Sequence, residues 1–491
     1  MKILFIPVLM LIMVLCSVFV IPGPGINAYA DAGEDKILEL DINRSVGIAI
    51  SNSFELKEIM AREDVYSLVI DESFREYFPS VTFTYMQTDE VRIRETDSRE
   101  SRLSVNTEFL VYDGGKRSLN YDIAKLNALV ATNDYRIALN RLIMDVRTAY
   151  LNLLNLKDTI TIYRMTLDMG NMQLEFIRRE YELGDATKLA VMEIEAKIKE
   201  VELSLKEAID GYESSLKQFK LLLRIDWRIP VEITGDVNRD FVFIPPGKID
   251  ENEMISLAVR KRKEIESSRV KSEISRKNME IAESYYIPNV SMGLNYSLSG
   301  EEFPPREKGW GINVKLSTGI FGNTAGGGTG YTESGNENSR AFSRDASVNV
   351  MDNMQYKRII AESRIDSAKS DDEQKVTEES IAVEVVNTCQ GMKNAWEMIE
   401  ISGRRVELYN SQLEIEKLKA DMGESRRYDL VEKEIEWSKA AVALLDAKIK
   451  YLVSISALEI ATGSDSGFIK NYLQGKGENE YTGPDTKDQN K

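Results

Sequence analysis

The chain has 491 residues, a formal net charge of −17, no His and two Cys. An acidic balance of this size argues against nucleic acid or an anionic membrane surface as the main partner. Without His, the commonest general base and the commonest metal ligand are both missing. No convergent Ser, Cys and acid motif replaces them, so no enzyme activity and no cofactor are expected.

The N-terminus has the layout of a secretory signal peptide over residues 1–30. Lys2 precedes an apolar run from Ile3 to Ile21, Pro22 to Gly25 break it, and Ala28-Tyr29-Ala30 offers a cleavage site. Cys16 follows Val14-Leu15, which lacks the small residue of a lipoprotein cleavage box. Cys389 is then the one Cys left. It cannot form an intrachain disulfide or a Cys-based metal site, and it reads as a small core residue inside a helix. No later run of 18 apolar residues exists, so no transmembrane helix is expected. A membrane span in this chain has to be a closed β-barrel, because lipid leaves no backbone group unpaired.

Two copies of one pattern follow. The first repeat, residues 31–225, opens with a helix over about 54–78 ending at Tyr77-Phe78-Pro79. Two alternating strands lie within about 80–112 and end at Leu110-Val111-Tyr112-Asp113-Gly114-Gly115. A long helical hairpin occupies about 116–225, turning near Gly184 and Thr187. Its outgoing helix, Lys116 to Leu183, has no Pro, and Leu119, Ile123, Leu126 and Val130 recur at helical spacing. At 1.5 Å per residue it spans roughly 100 Å. Such length with such seams points to coiled-coil packing.

Residues 226–248 read as a linker, with Trp227, Pro230, Pro245, Pro246 and Gly247 and short β-like runs. The second repeat, residues 249–462, has a helix over about 251–286 ending before Pro288 and two strands within about 289–319. Its helical hairpin covers about 350–462, turning near Gly423, Arg426 and Arg427. Pro288 follows Pro79 by 209 residues (288 − 79), and Gly423 follows Gly184 by 239 (423 − 184). The second copy therefore carries about 30 extra residues between these landmarks, a duplication that bears on the whole fold.

The excess coincides with a Gly-, Asn- and Ser-rich insertion over 322–347. Gly326-Gly327-Gly328 lies within it, but no Gly-Lys-Ser/Thr follows, so nucleotide binding is not expected. The insertion reads as a flexible loop where strands meet helices. Residues 463–491 read as a polar, largely disordered C-terminal tail.

The four strands put Val81, Phe83, Phe109, Leu294, Tyr296, Trp310 and Ile312 on apolar faces. Their neighbours, including Thr82, Asn106, Glu108 and Asn295, are small, polar or charged. Apolar-out and polar-in is the wall pattern of an outer-membrane barrel, and each segment nears the ~9–11 residues of a tilted crossing. Soluble hairpins with one buried face are the plainer alternative. Four strands cannot close around a polar interior, so other chains must complete such a wall.

At this point the residues carry a resemblance. The chain over about 45–462 resembles the outer-membrane efflux protein family, the TolC-like channel-tunnels. Asp41 to Leu56, Phe78-Pro79, Leu110 to Gly115, and Ala258 to Ile265 with Lys263 in place of a usual Pro resemble its landmarks. So do Tyr181, Gly184 and Thr187 at one turn and Gly423, Asp429, Leu430 and Val431 at the other. The resemblance implies a fold that is mainly α with β. Long antiparallel coiled-coil hairpins join four transmembrane strands per chain, which contribute to a shared twelve-strand barrel in a homotrimer. It implies a passive conduit set in outer-membrane lipid, with a helical tunnel in the periplasm. It works with a periplasmic adaptor protein and an inner-membrane pump in efflux or type I secretion, and closes by an iris-like twist.

The resemblance also places Asp429 and Glu432 at acidic constriction rings. Ala190 and Ala420 stand where closing partners are usual, so the gate is expected either to use other pairs or to be leaky. The other function considered is an exported structural or adhesin-like coiled coil of the cell envelope.

Overall fold

The computed structural model of the chain describes residues 37–90, 98–247, 249–334, 339–422, 424, 426–465 and 467–480. The signal peptide expected over residues 1–30 and the expected turn residue Gly423 lie outside the described residues.

The first repeat opens with β1 (Leu38–Leu40), α1 (Ile42–Asn52) and α2 (Phe54–Arg75). Asp41 caps α1, its carboxylate accepting the Arg44 N–H at 2.7 Å. Extended backbone at Ser53 (φ −61°, ψ 117°) breaks the helix, and the Ser53 hydroxyl restarts it by accepting Leu56 N–H at 3.2 Å. Then come β2 (Ser80–Glu90), β3 (Ser98–Tyr112), α3 (Lys116–Leu183) and α4 (Lys188–Leu222). Gly114 (φ +71°) and Gly115 (φ +87°) make the strand-to-helix corner. A Cβ at Gly114 would lie 2.6 Å from the Ile287 side chain, so conformation and space both require glycine there.

In the linker, β4 (Val231–Ile233) pairs in parallel with β1, followed by the short α5 (Val237–Asp240). The second repeat has α6 (Glu251–Lys261), α7 (Lys263–Glu283), β5 (Asn289–Gly300) and β6 (Glu307–Ile320). It continues with β7 (Asn323–Ser334), β8 (Ser339–Asn349), α8 (Tyr356–Asp421) and α9 (Arg427–Ala461). Helix α10 (Phe468–Glu480) comes last.

Three expectations are corrected. The 322–347 insertion is not a flexible loop. It is a β-hairpin, β7–β8, and it widens the sheet to six strands in the order β2-β3-β5-β6-β7-β8. The chain thus offers six strands where four were expected. The tail from 463 is not wholly disordered either. Ile469 and Leu473 of α10 are buried in a core with Ile265, Met392 and Leu458. Glu459 tethers the start of α10, accepting the Gly467 N–H at 2.6 Å. Finally, the helix expected over 251–286 breaks at Arg262 (φ −65°, ψ 124°).

The break at Arg262 is the duplicate of the break at Ser53. It lies 209 residues later (262 − 53), as the capping Asp250 lies 209 after Asp41 (250 − 41). Helices α4 and α9 match at both ends with the larger offset, 239 (427 − 188 and 461 − 222). The sheet insertion therefore holds the whole excess and leaves both frames intact.

At 68 and 66 residues, α3 and α8 are each roughly 100 Å long. Each packs first against the short helices near the strands and then against its returning partner. The joints between these pieces are pinned. Asn52 Nδ2 donates to the Leu223 carbonyl at 3.2 Å at the end of α4. In the second copy Arg262 Nη1 donates to Ile460 O at 3.4 Å and Ala461 O at 3.2 Å, at the end of α9. The cores gather at these joints. Val146, Leu153, Phe219, Leu223 and Ile233 form one, and Met254, Val385, Cys389 and Tyr451 form another. Cys389 is fully buried, as its helical setting suggested, and burial pushes its thiol pKa up. Among the described residues no helix is long and apolar enough to cross a membrane.

Candidate functional site

The cross-strand register sorts the sheet into two faces. One row runs Phe83–Val105–Tyr296–Trp310, the next Val81–Thr107–Leu294–Ile312, and a third Phe109–Met292–Val314. All seven apolar residues picked from the sequence share this face, and each is between 36 and 74% exposed. The opposite face carries Thr82–Asn106–Asn295–Gly311 and Ser80–Glu108–Gly293–Asn313. Asn295 donates its amide to Asn106 across the strands. A Cβ at Gly293 would lie 2.0 Å from Asn313 Oδ1, so a larger residue there would displace the Asn313 side chain. Large apolar side chains are thus concentrated on the apolar face.

The same two faces continue into the hairpin that sequence reasoning missed. Ile312 leads to Tyr331 and Phe342, and Leu316 leads to Gly327 and Ala346. On the polar side Asn313 leads to Gly330 and Ser343. The alternation of Phe342, Arg344, Ala346 and Val348 with Ser343, Asp345 and Ser347 was the available signal.

The helical tips lie at the far end of the hairpins. The first turn is as expected. Gly184 (φ +86°) closes α3, and Thr187 caps α4 by accepting Ala190 N–H at 3.2 Å. At the second turn α8 ends at Asp421, and Arg426 stands at the N-cap of α9 without a side-chain cap bond. The two tips pack together through Ile177, Ile194, Ile198, Val201, Val431 and Ile435.

One cation joins the tips. Arg427 Nε lies 3.1 Å from Glu180 Oε1, its Nη1 donates to Gln173 Oε1 at 3.3 Å, and its guanidinium sits 4.7 Å from the Phe176 ring centre. This arrangement links α9 to α3 without using Ala190 or Ala420. Of the two acids singled out, Asp429 takes two 3.2 Å hydrogen bonds from Arg426 on its own helix. Glu432 is half-buried one turn on. Its neighbour Lys433 bonds Glu436 at 2.7 Å, which holds the ammonium pKa up.

A third acid was not anticipated. Glu434 is 2% exposed between the tips, and its Oε2 has no hydrogen-bond partner. Burial raises its pKa to about 7, only partly opposed by Lys417. Among the described residues no group of His, Cys, Asp and Glu could hold a metal ion.

Comparison with known proteins fits this geometry. Residues 46–223 match the model of the outer membrane efflux protein family. Over 247 residues the chain is 23% identical to the alkaline protease secretion protein AprF of Pseudomonas aeruginosa, covering 49% of this chain and 50% of that protein. The chain thus spans about half the length of this curated relative. Among solved structures, the outer membrane channel CmeC of Campylobacter jejuni superposes with a TM-score of 0.70 at 16% identity, over 89% of each chain. The outer membrane protein VceC of Vibrio cholerae does so with a TM-score of 0.69 at 14% identity, over 86% of this chain and 96% of that one. Residues 46–223 thus match the model of that family, and over 86–89% of its length the chain has the fold of these two solved proteins.

Proposed function

We propose that this protein is the outer-membrane conduit of a tripartite efflux or type I secretion system. The observation that carries this reading is the two-faced sheet. A row structure with large apolar side chains exposed on one side and glycine, Ser, Thr and Asn on the other suits lipid outside and water inside. A soluble envelope coiled coil would have to leave Phe83, Leu294 and Trp310 facing water, which a stable soluble surface avoids.

The sheet cannot close alone, so the conduit is an oligomer of this chain, and the family resemblance makes it a homotrimer. The hairpins, roughly 100 Å long, reach from the wall into the periplasm. There a periplasmic adaptor and an inner-membrane pump deliver cargo, and the channel itself does no chemistry. The tips form the gate, with Arg427 bound to Glu180 and Gln173 holding the two hairpins of one chain together. Asp429 and Glu432 from three copies ring the constriction. Because Arg426 already neutralises much of Asp429, Glu432 contributes more of the ring's field.

Planar-bilayer recording tests the reading. The protein should form low-conductance, cation-preferring channels that a multivalent cobalt complex blocks from the tip side. Asp429→Asn with Glu432→Gln should weaken the block at least tenfold, and Arg427→Ala should raise conductance. Protein that is soluble and forms no channels would sink the proposal. Unchanged block in the double variant would move the constriction, with Glu424 the next acid.

A further inference from the structure

The hairpin β7–β8 raises a question about where the wall ends. We propose that it is part of the membrane wall, and that β8 of one copy pairs with β2 of the next, so each copy contributes six strands. This rests on the outer-membrane reading above and adds to it the identity of the subunit seam.

The hairpin is no appendage. All twelve residues of β7 pair with β6, from Gly309↔Ser334 to Ile320↔Asn323. The link between them is a two-residue turn, Phe321-Gly322, with φ +48° and +86°, the positive values a tight twisted hairpin needs. Its base is locked. Asn323 Oδ1 accepts the Met351 N–H at 2.8 Å, its Nδ2 donates to Ile320 O at 3.0 Å, and Tyr285 donates to its carbonyl at 3.2 Å.

A seam formed by β6 is therefore closed off, because β7 already occupies the outer edge of β6. The open edges are β2 and β8, each of 11 residues. In lipid, both must find partners. Neither carries the Lys or Pro that blunts an edge in soluble sheets. Every neighbouring pair in the sheet is antiparallel and the strand number is even. So β8 runs opposite to β2, and two copies can join edge to edge without a change of direction.

The faces also agree across such a seam. Phe342, Ala346 and Val348 of β8 share the side of Val81 and Phe83 of β2, and Ser343 shares that of Thr82. Charges on the hairpin's apolar face are paired or stacked: Arg340 lies 3.6 Å from Glu333, and Arg344 lies 5.0 Å from the Phe342 ring centre. Three copies would give eighteen strands. Barrel diameter grows about linearly with strand number, so the wall would be ~1.5 times as wide as one built on four strands per copy.

Disulfide trapping in isolated outer membranes decides this. Thr82→Cys is combined in turn with Ala341→Cys, Ser343→Cys and Asp345→Cys, a scan that allows for seam register. With Cys389 replaced by Ser throughout, at least one pair should give reducible ladders up to the trimer on oxidation, while each single-Cys chain gives none. Thr82→Cys with Asn313→Cys, which probes a β6 seam, should stay monomeric in the full chain. Deleting residues 323–349 should transfer the cross-link to that β6 pair.

A cross-link from Asn313 in the full chain overturns the proposal. So does an oligomer, shown by mass in mild detergent, that no β8 pair can trap. A chain that is monomeric and absent from the membrane instead defeats the channel reading, and the wall with it.

Discussion

In the first repeat the chain passes from β3 to α3 through Asp113, Gly114 and Gly115 alone, whereas in the second it travels from Phe321 to Gln355 between β6 and α8. The short corner is held by Asp113, whose carboxylate accepts Gly115 N–H at 3.1 Å and Arg117 N–H at 2.9 Å and pairs with the Arg117 guanidinium at 3.0 Å. Burial alone would raise the Asp113 pKa, but these Arg117 and Gly115 contacts outweigh it and hold it low. The long corner carries two strands and returns to the same end of the sheet. Helices before it keep the 209-residue frame and helices after it keep the 239-residue frame. The comparison teaches that this corner tolerates insertion, because a hairpin adds an even number of strands and leaves the direction of the next helix unchanged.

The repeats differ in chemistry at their joints as well. Where the first copy has Ser53 and one Asn52 hydrogen bond, the second has Arg262, whose side chain is largely covered. Its guanidinium takes in Glu264 at 3.0 Å, Glu384 at 3.1 Å and two carbonyls of α9. Burial would lower the Arg262 pKa, but Glu264 and Glu384 outweigh this and raise it. At the tips, Glu195 and Glu434 are equivalent in the 239 frame (434 − 195). Glu195 is half-buried and paired with Arg178 at 2.7 Å, whereas Glu434 is fully buried.

The largest effect should come where both repeats meet in one face. Leu294→Arg and Phe109→Arg should each block assembly, costing about 2–4 kcal/mol per chain near the bilayer middle. Asn295→Arg should assemble, as judged by oligomer recovery from outer membranes. Equal behaviour would show that the two faces do not differ in environment.

Next, Arg262→Ala should destabilise by about 2 kcal/mol, chiefly because it leaves two helix-end carbonyls without their donor. Asn52→Ala at the matching joint should cost about 1 kcal/mol or less. Thermal melts of the purified protein that gave equal losses would erase the distinction between the joints.

Glu434 should make stability fall as pH rises. Its pKa is raised in the folded state, so stability is fullest below the unfolded value of 4.5. It declines up to about 7, by roughly 3 kcal/mol in total, then levels. Glu434→Gln should flatten this slope in melts between pH 4.5 and 7.5. Glu195→Gln should cost no more than about 0.5 kcal/mol. The smallest effect is at the caps: Thr187→Ala should cost about 1 kcal/mol, since only the first tip has a side-chain cap.

What the sequence disclosed follows from how strong each local signal is. The long Pro-free stripe from Lys116 to Leu183 was read with its observed ends, because a Gly corner and a Gly turn bound it. Strands β2, β3, β5 and β6 were legible through large apolar residues at every second position. Strand β7 was not, because its apolar-face positions carry Ala325, Gly327 and Thr329 in place of large apolar residues. Helix α10 was hidden in a polar segment, although Phe468, Ile469, Tyr472 and Leu473 carry a helical period. The Arg262 break was invisible within Lys261-Arg262-Lys263-Glu264, which has good helix propensity; tertiary contacts override it. At the tips, Gly184 and Thr187 were readable as a turn and a cap. The Arg427–Glu180 pair spans 247 residues and could be found only from the fold.

The pairing of β3 with β5 also sets the order of events during synthesis. Asn106 lies opposite Asn295, 189 residues further along (295 − 106). The helices α3 and α4 have nearby partners and can collapse as soon as they emerge, whereas β3 waits until β5, early in the second repeat, has been made. During that interval one side of the β2–β3 ribbon is a sticky template for any passing strand. Translocated chains therefore need shielding before their halves meet, and slowing synthesis between residues 112 and 289 should increase aggregation more than slowing it after residue 320.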